Sequence, residues 1–204
     1  PTDTRQLVVQ IWYPTDDTTK LERASYCPHL RELARDFQYY EVLGLATMST
    51  HAYLDAALSS KQPKFPVIVF SPGANSVVGF YTSILEELAS HGYIIVAMDH
   101  VYEGRGQILP SGQLTDTVFE KQQPDPAAPN AETAMAEYYR KFVDIRAADA
   151  HSVLDQLETL NKSDKRFAGR LDLEHVGVLG HSIGGVAAAQ AAKIDKRFKA
   201  AANL

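Results

Sequence analysis

The chain has 204 residues, 45% of them hydrophobic and 22% charged, with a formal net charge of −5. That supports one globular domain with a sizeable core, and the mild acidity, with Lys and Arg neither in excess nor clustered, excludes a nucleic-acid partner. Apolar runs such as Tyr93 to Met98 are far shorter than the roughly 20 residues that cross a bilayer, so no transmembrane span is expected.

The lone Cys27 rules out an internal disulfide. No charged, apolar, small-residue leader opens the chain, yet Pro1 is not a natural start, which leaves a removed signal peptide and a secreted or periplasmic setting open.

Gln6 to Tyr13 has strand composition, stops at Pro14 and precedes the turn-like Thr15-Asp16-Asp17-Thr18; this predicts an early sheet strand. Leu30, Leu33, Ala34 and Phe37 recur at helical spacing between Pro28 and Tyr40, and Met48 to Leu58 carries a weaker helical pattern. Cys27 and His29 lack partners at metal-ligand spacing and read as packing and surface residues.

After a polar linker from Lys61 to Pro66, Val67-Ile68-Val69-Phe70 is an unbroken apolar run of the kind buried on both faces of a parallel sheet. The loop Ser71-Pro72-Gly73-Ala74-Asn75 follows, then a helix from about Phe80 to Ser90 closed by Gly92. Tyr93 to Met98 is the next buried strand, ending in Asp99-His100, so a right-handed crossover and a parallel sheet are predicted. A nucleotide-binding turn would need G-x-G-x-x-G or a Walker lysine, and this loop has neither. Asp99 and His100 lie where α/β sheets bind ligands, at the C-terminal end of a strand, but in a hydrolase of this architecture the acid and base follow the serine.

Glycines and prolines break residues 101 to 130 into an irregular stretch leaving that same edge; a lid or pocket wall and a plain surface loop are both open readings. Residues 131 to 160 predict one long helix with an apolar stripe of Met135, Tyr138, Tyr139, Phe142 and Ile145 and another of Ala150, Val153, Leu154, Leu157 and Leu160. Arg146 and Asp149 have the spacing of an i,i+3 ion pair.

The chain is organised around Val176-Gly177-Val178-Leu179-Gly180-His181-Ser182-Ile183-Gly184-Gly185, followed by the small-residue run Val186 to Ala192. A buried strand, a G-x-S-x-G turn and a helix in this order form a nucleophile elbow. Gly180 and Gly184 remove side chains that would collide with backbone, so Ser182 can sit in a strained conformation at the strand tip. The start of the following helix offers unpaired N–H groups where a tetrahedral oxyanion would form. Ile183 is the expected first donor. Pro72 has no N–H, which leaves Ala74 as the second. Ser182 would need a histidine to take its proton and a carboxylate to orient that histidine; His175 and the motif's own His181 are not candidates for the base.

Ile11-Trp12-Tyr13-Pro14, Phe70-Ser71-Pro72-Gly73-Ala74, Leu88-Ala89-Ser90-His91-Gly92-Tyr93, Asp144-Ile145-Arg146 to Val153-Leu154-Asp155-Gln156-Leu157, Gly180-His181-Ser182-Ile183-Gly184-Gly185 and Arg197-Phe198-Lys199-Ala200 together resemble the plasma-type platelet-activating factor acetylhydrolases and their microbial relatives. The resemblance implies an α/β-hydrolase, a mostly parallel sheet with helices on both faces, that cleaves short or oxidised acyl esters without a metal or other cofactor. It implies Ser182 as nucleophile and the N–H groups of Ala74 and Ile183 as the oxyanion hole. Where the family often has His-Gly, this chain has Pro72-Gly73, which alters the acyl side of the pocket. In the family the catalytic aspartate directly follows the strand matching Ala200 to Leu204, and the histidine comes later. The expectation is therefore that residues 1–204 are the N-terminal two-thirds of a domain left incomplete at its C-terminal sheet edge, with acid and base on a further C-terminal segment.

Three functions remain open at this point. The first is a serine ester hydrolase working through an acyl-enzyme on short-chain or phospholipid-type esters. The second keeps the chemistry but acts on a polyester, lactone or triglyceride, as cutinases, dienelactone hydrolases and lipases do, because pocket walls rather than the elbow set specificity. The third is a non-catalytic hydrolase-fold binding protein, should the chain end at Leu204.

Overall fold

In the computed structural model the residues described are 5–30, 40–104, 107–109, 111, 113–115 and 117–204, with the backbone alone for 40–43. In chain order the elements are β1 (Leu7–Trp12), β2 (Arg23–Ser25), a 3-10 segment (Tyr40–Thr47), β3 (Ser49–Tyr53), β4 (Phe65–Ser71), a 3-10 turn (Val78–Tyr81), α1 (Thr82–Ser90), β5 (Ile94–His100), α2 (Val118–Lys121), α3 (Ala131–Ser163), β6 (Leu171–Gly180), α4 (Ile183–Ile194) and β7 (Phe198–Asn203). The main sheet has the order β1-β5-β4-β6-β7. β1 runs antiparallel to β5, and every other pairing is parallel.

The period-2 alternation of the strands explains the layering. Val67, Val69, Ile94, Val96, Met98, Val176 and Val178 face one side, where Ala147, Ala150, Val153, Leu154 and Leu157 of α3 and Ala188 and Ala191 of α4 cover them. Phe70, Ile95 and Ala97 face the other side and pack on Leu85 and Ala89 of α1. Helices thus lie on both faces of a mostly parallel sheet, the α/β-hydrolase arrangement, and the C-terminal ends of β4, β5 and β6 converge where the loops carrying Ala74, Glu103 and Ser182 begin.

Two sequence expectations change. Met48 to Leu58 is not helical: Ser49–Tyr53 is β3, paired antiparallel with β2 in a separate two-stranded sheet, because a strand partner outweighs a weak local pattern. The helix expected over 28–40 falls mainly on residues outside those described. The described residues of 101–130 include α2 and a bridge between Ile108 and Leu114. No described helix is long and apolar enough to cross a membrane.

Candidate active site

Ser182 is the N-cap of α4, with φ +54° and ψ −124°. A non-glycine residue held there costs about 1–3 kcal/mol, and close packing on every side maintains it. A Cβ on Gly180 would lie 2.3 Å from the Gly184 carbonyl group, one on Gly184 would lie 2.3 Å from Ser71 O and 2.4 Å from Pro72 O, and one on Gly185 would meet Asn203 Oδ1 at 1.8 Å. The start of α4 is therefore in backbone contact with the end of β4 and the loop after it. The Ser182 carbonyl accepts from the N–H groups of Gly185 (2.9 Å) and Val186 (3.1 Å), and the His181 N–H donates to Ser71 O (3.1 Å). Ser182 itself is exposed.

Ile183 opens α4, so its N–H has no intrahelical acceptor. In the loop after β4, the Gly73 N–H donates to Tyr81 Oη at 3.0 Å, while the Ala74 N–H meets no acceptor among the described residues. The predicted donors are thus free amides on two segments in contact, and Ala74 and Ile183 pack in one apolar cluster with Phe119, Tyr138 and Phe142. Phe119 comes from α2, inside the irregular 101–130 stretch; the Tyr138 hydroxyl donates to its carbonyl, and Asn75 Nδ2 donates to Glu120 at 3.0 Å.

His181 points away from proton transfer: its Nδ1 lies 2.9 Å from Tyr81 Oη. Among the described residues no histidine is hydrogen-bonded to Ser182. His151 pairs with Asp195, His175 with Asp172, His91 with Glu87 and His51 with Glu86.

Sequence reading missed a second constellation beneath the site. Ser71 Oγ lies 2.8 Å from His100 Nε2, and His100 Nδ1 lies 2.7 Å from Asp149 Oδ2, all three side chains buried. Burial and the nearby Arg146 charge push the His100 pKa down, opposed by Asp149. Burial would raise that of Asp149, but hydrogen bonds from His100 and Arg5 outweigh it and hold it low. A neutral imidazole between a hydroxyl and a carboxylate donates from Nδ1 to the carboxylate and accepts at Nε2 from the Ser71 hydroxyl. This has the connectivity of a Ser-His-Asp triad, but Ser71 sits in a regular strand, 1% exposed, where no acyl group can reach it.

Arg146 and Asp149, read as an i,i+3 pair, instead turn inward to different partners. Arg146 Nε donates to Glu103 Oε2 (2.8 Å). Asp149 takes two hydrogen bonds from Arg5 (2.6 and 2.7 Å), and Arg5 reaches Glu103 Oε1 at 2.7 Å. Donor atoms of His100, Glu103 and Asp149 lie within 4.8 Å of one another, as in a metal cage. Two guanidinium groups already occupy these carboxylates and both imidazole nitrogens are engaged, so the cluster is an ion-pair network.

Asp99 lies apart from this network. It is buried, and burial pushes its carboxyl up to about 7 against the lowering effect of the Val78 N–H, which donates to Oδ1 at 2.8 Å. Burial, with the Asp99 charge adding, pushes the nearby Cys27 thiol up to about 12.

A family model described as platelet-activating factor acetylhydrolase, isoform II, matches residues 2–204. The platelet-activating factor acetylhydrolase of Cavia porcellus is 28% identical over 151 residues, covering 67% of this chain and 34% of that protein. A probable 1-alkyl-2-acetylglycerophosphocholine esterase of Arthroderma benhamiae is 26% identical over 145 residues, covering 68% of this chain and 30% of that protein. Among solved structures, a ferulic acid esterase from Streptomyces cinnamoneus superposes with a TM-score of 0.72 at 30% identity, covering 97% of this chain and 51% of that one. The chain thus spans about a third of these curated relatives and half of the solved structure.

Proposed function

The chain belongs to the platelet-activating factor acetylhydrolase, isoform II, family, and from that premise we propose that the complete protein is a serine carboxylic ester hydrolase working through an acyl-enzyme. The observation that carries this reading is the exposed Ser182 at φ +54°, between two segments whose Ile183 and Ala74 amides are free. Ser182 Oγ attacks the ester carbonyl, the C–O bond to the alcohol breaks as the alcohol takes a proton, and water then cleaves the acyl-serine to release the acid. The two amides hold the oxyanion of each tetrahedral intermediate. Ser182 has no histidine partner among the described residues, and the matches to curated relatives cover only 34%, 30% and 52% of their lengths. We therefore assign the general base and its carboxylate to polypeptide outside residues 1–204.

The substrate follows from the walls. The aromatic cluster of Phe119, Tyr138 and Phe142 beside Ile183 makes α2 and the first half of α3 a pocket wall in this reading, and an apolar acyl ester is the substrate class. The relatives' names point to acetyl ester groups and the structural neighbour's to a hydroxycinnamoyl group. Stopped-flow hydrolysis of p-nitrophenyl acetate by the complete protein is expected to show a burst of p-nitrophenol equal to the enzyme concentration. A burst-free trace without turnover contradicts the reading. Comparing an acetyl-glycerophosphocholine with methyl ferulate then distinguishes the two acyl classes.

A further inference from the structure

The buried ion pairs below the elbow do not end at random. From Ser71 Oγ the hydrogen bonds run through His100, Asp149, Arg5 and Glu103 to Arg146, whose Nη1 donates to Pro72 O at 2.6 Å. The path closes on two adjacent residues, Ser71 at the end of β4 and Pro72 at the start of the loop that carries Ala74. Four polar groups of residues 71–73 are held: Ser71 Oγ by His100, Ser71 O by the His181 N–H, Pro72 O by Arg146 and the Gly73 N–H by Tyr81. The Ala74 amide follows immediately.

Resting on the hydrolase reading above, we propose that Arg146, fixed by Glu103, is a positioning residue that orients the Pro72–Gly73 peptide and thereby aims the Ala74 N–H at the developing oxyanion. Two physical points favour this over plain stabilisation. Burying a guanidinium and a carboxylate at 1% and 2% exposure carries a desolvation cost that well-packed apolar side chains would avoid. Only a planar fork can bind a carboxylate and a backbone carbonyl at once in fixed directions, and a donor that stabilises a transition state must be set before the reaction starts. Pro72, lacking an N–H, offers the loop its carbonyl as the anchor.

The test uses Arg146→Lys and the isosteric Glu103→Gln in the complete protein, with folding checked by circular dichroism. Each is measured for the p-nitrophenyl acetate burst, for kcat and KM, and for inhibition by a trifluoromethyl ketone, whose serine adduct carries the oxyanion. Losing a whole oxyanion donor costs about 10²–10³ in kcat; misaiming one is expected to lower kcat about 10- to 100-fold with KM nearly unchanged. The ketone's inhibition constant should rise in proportion to the loss in kcat/KM in both variants. Folded variants with kcat within about twofold of wild type, or ketone affinity that does not track kcat/KM, overturn the proposal. So does failure of both variants to fold, which would make the network a structural requirement only. A wild type with neither burst nor turnover fails the hydrolase reading itself, whereas normal wild-type hydrolysis with unaffected variants fails this inference alone.

Discussion

Two serines in this molecule sit about one strand apart and share almost nothing. Ser71 has the hydrogen-bond order of a catalytic triad, yet it lies in a regular strand, buried and facing a full network. Ser182 has no histidine among the described residues, yet it is exposed, strained at positive φ and placed at the first turn of α4. Connectivity alone does not make a nucleophile. In the proposed mechanism a serine acts when an electrophile can reach it and unpaired amides lie nearby, and of these two serines Ser182 is the exposed one, next to the free Ile183 amide.

The comparison breaks most sharply by mutation. Ser182→Ala in the complete protein should lower kcat for p-nitrophenyl acetate by on the order of 10⁴-fold or more, whereas Ser71→Ala should keep the burst and lower kcat less than about tenfold. Steady-state kinetics on the two variants checks this, and equal losses would erase the distinction.

Next come the glycines. In Gly184→Ala the new Cβ would collide with the Ser71 and Pro72 carbonyls, which are backbone and cannot turn aside. A loss above about 3 kcal/mol and of the burst is expected from denaturant melts and stopped flow. Gly169 has φ +73° but open space around its Cβ position, so Gly169→Ala should cost only about 1 kcal/mol and leave hydrolysis intact.

A smaller effect separates the two buried acids near the β5 end. Asp149 is ionised within its ion pairs, but Asp99 has a folded pKa of about 7 against about 4 unfolded. The folded state then holds that proton more tightly, so Asp99's contribution to stability is full below pH 4, falls as pH rises towards 7 and levels off above it. Asp99→Asn should flatten that slope and raise stability at pH 8 by up to about 4 kcal/mol, read from urea melts between pH 4 and 8. Asp195 works in the opposite sense: Arg197 holds it at about 2, so its contribution is present above pH 4 and lost as pH falls towards 2. The smallest expectation is chemical: with its thiol pushed up to about 12, Cys27 should resist iodoacetamide at pH 7.5 until the protein is unfolded.

The turn at Ser182 was legible in the sequence because its pattern is contiguous: Gly180 lacks a Cβ that would strike the Gly184 carbonyl group four residues on, although the atoms that demand glycine at 184 belong to the distant Ser71 and Pro72. The strands around it were legible for the same reason, since Val67 to Phe70 and Tyr93 to Met98 are apolar on both faces. The buried network was not. Arg5, Ser71, His100 with Glu103, and Arg146 with Asp149 come from four separated segments, and one local hint, Arg146 three residues before Asp149, suggested that the two would pair with each other. α3 turns both inward, and tertiary partners replaced the neighbour on the helix. Ser49–Tyr53 went unrecognised as a strand because its partner, Arg23–Ser25, is only three residues long and lies more than 20 positions away.

The central claim is that Ser182 is the reactive side chain of this fold. Labelling the complete protein with a fluorophosphonate ester and mapping the adduct by peptide mass spectrometry tests it most directly. The account predicts a single phosphonylated peptide modified at Ser182, at one equivalent per chain. An adduct on Ser71, or a fully folded protein that takes up no phosphonate, would contradict it.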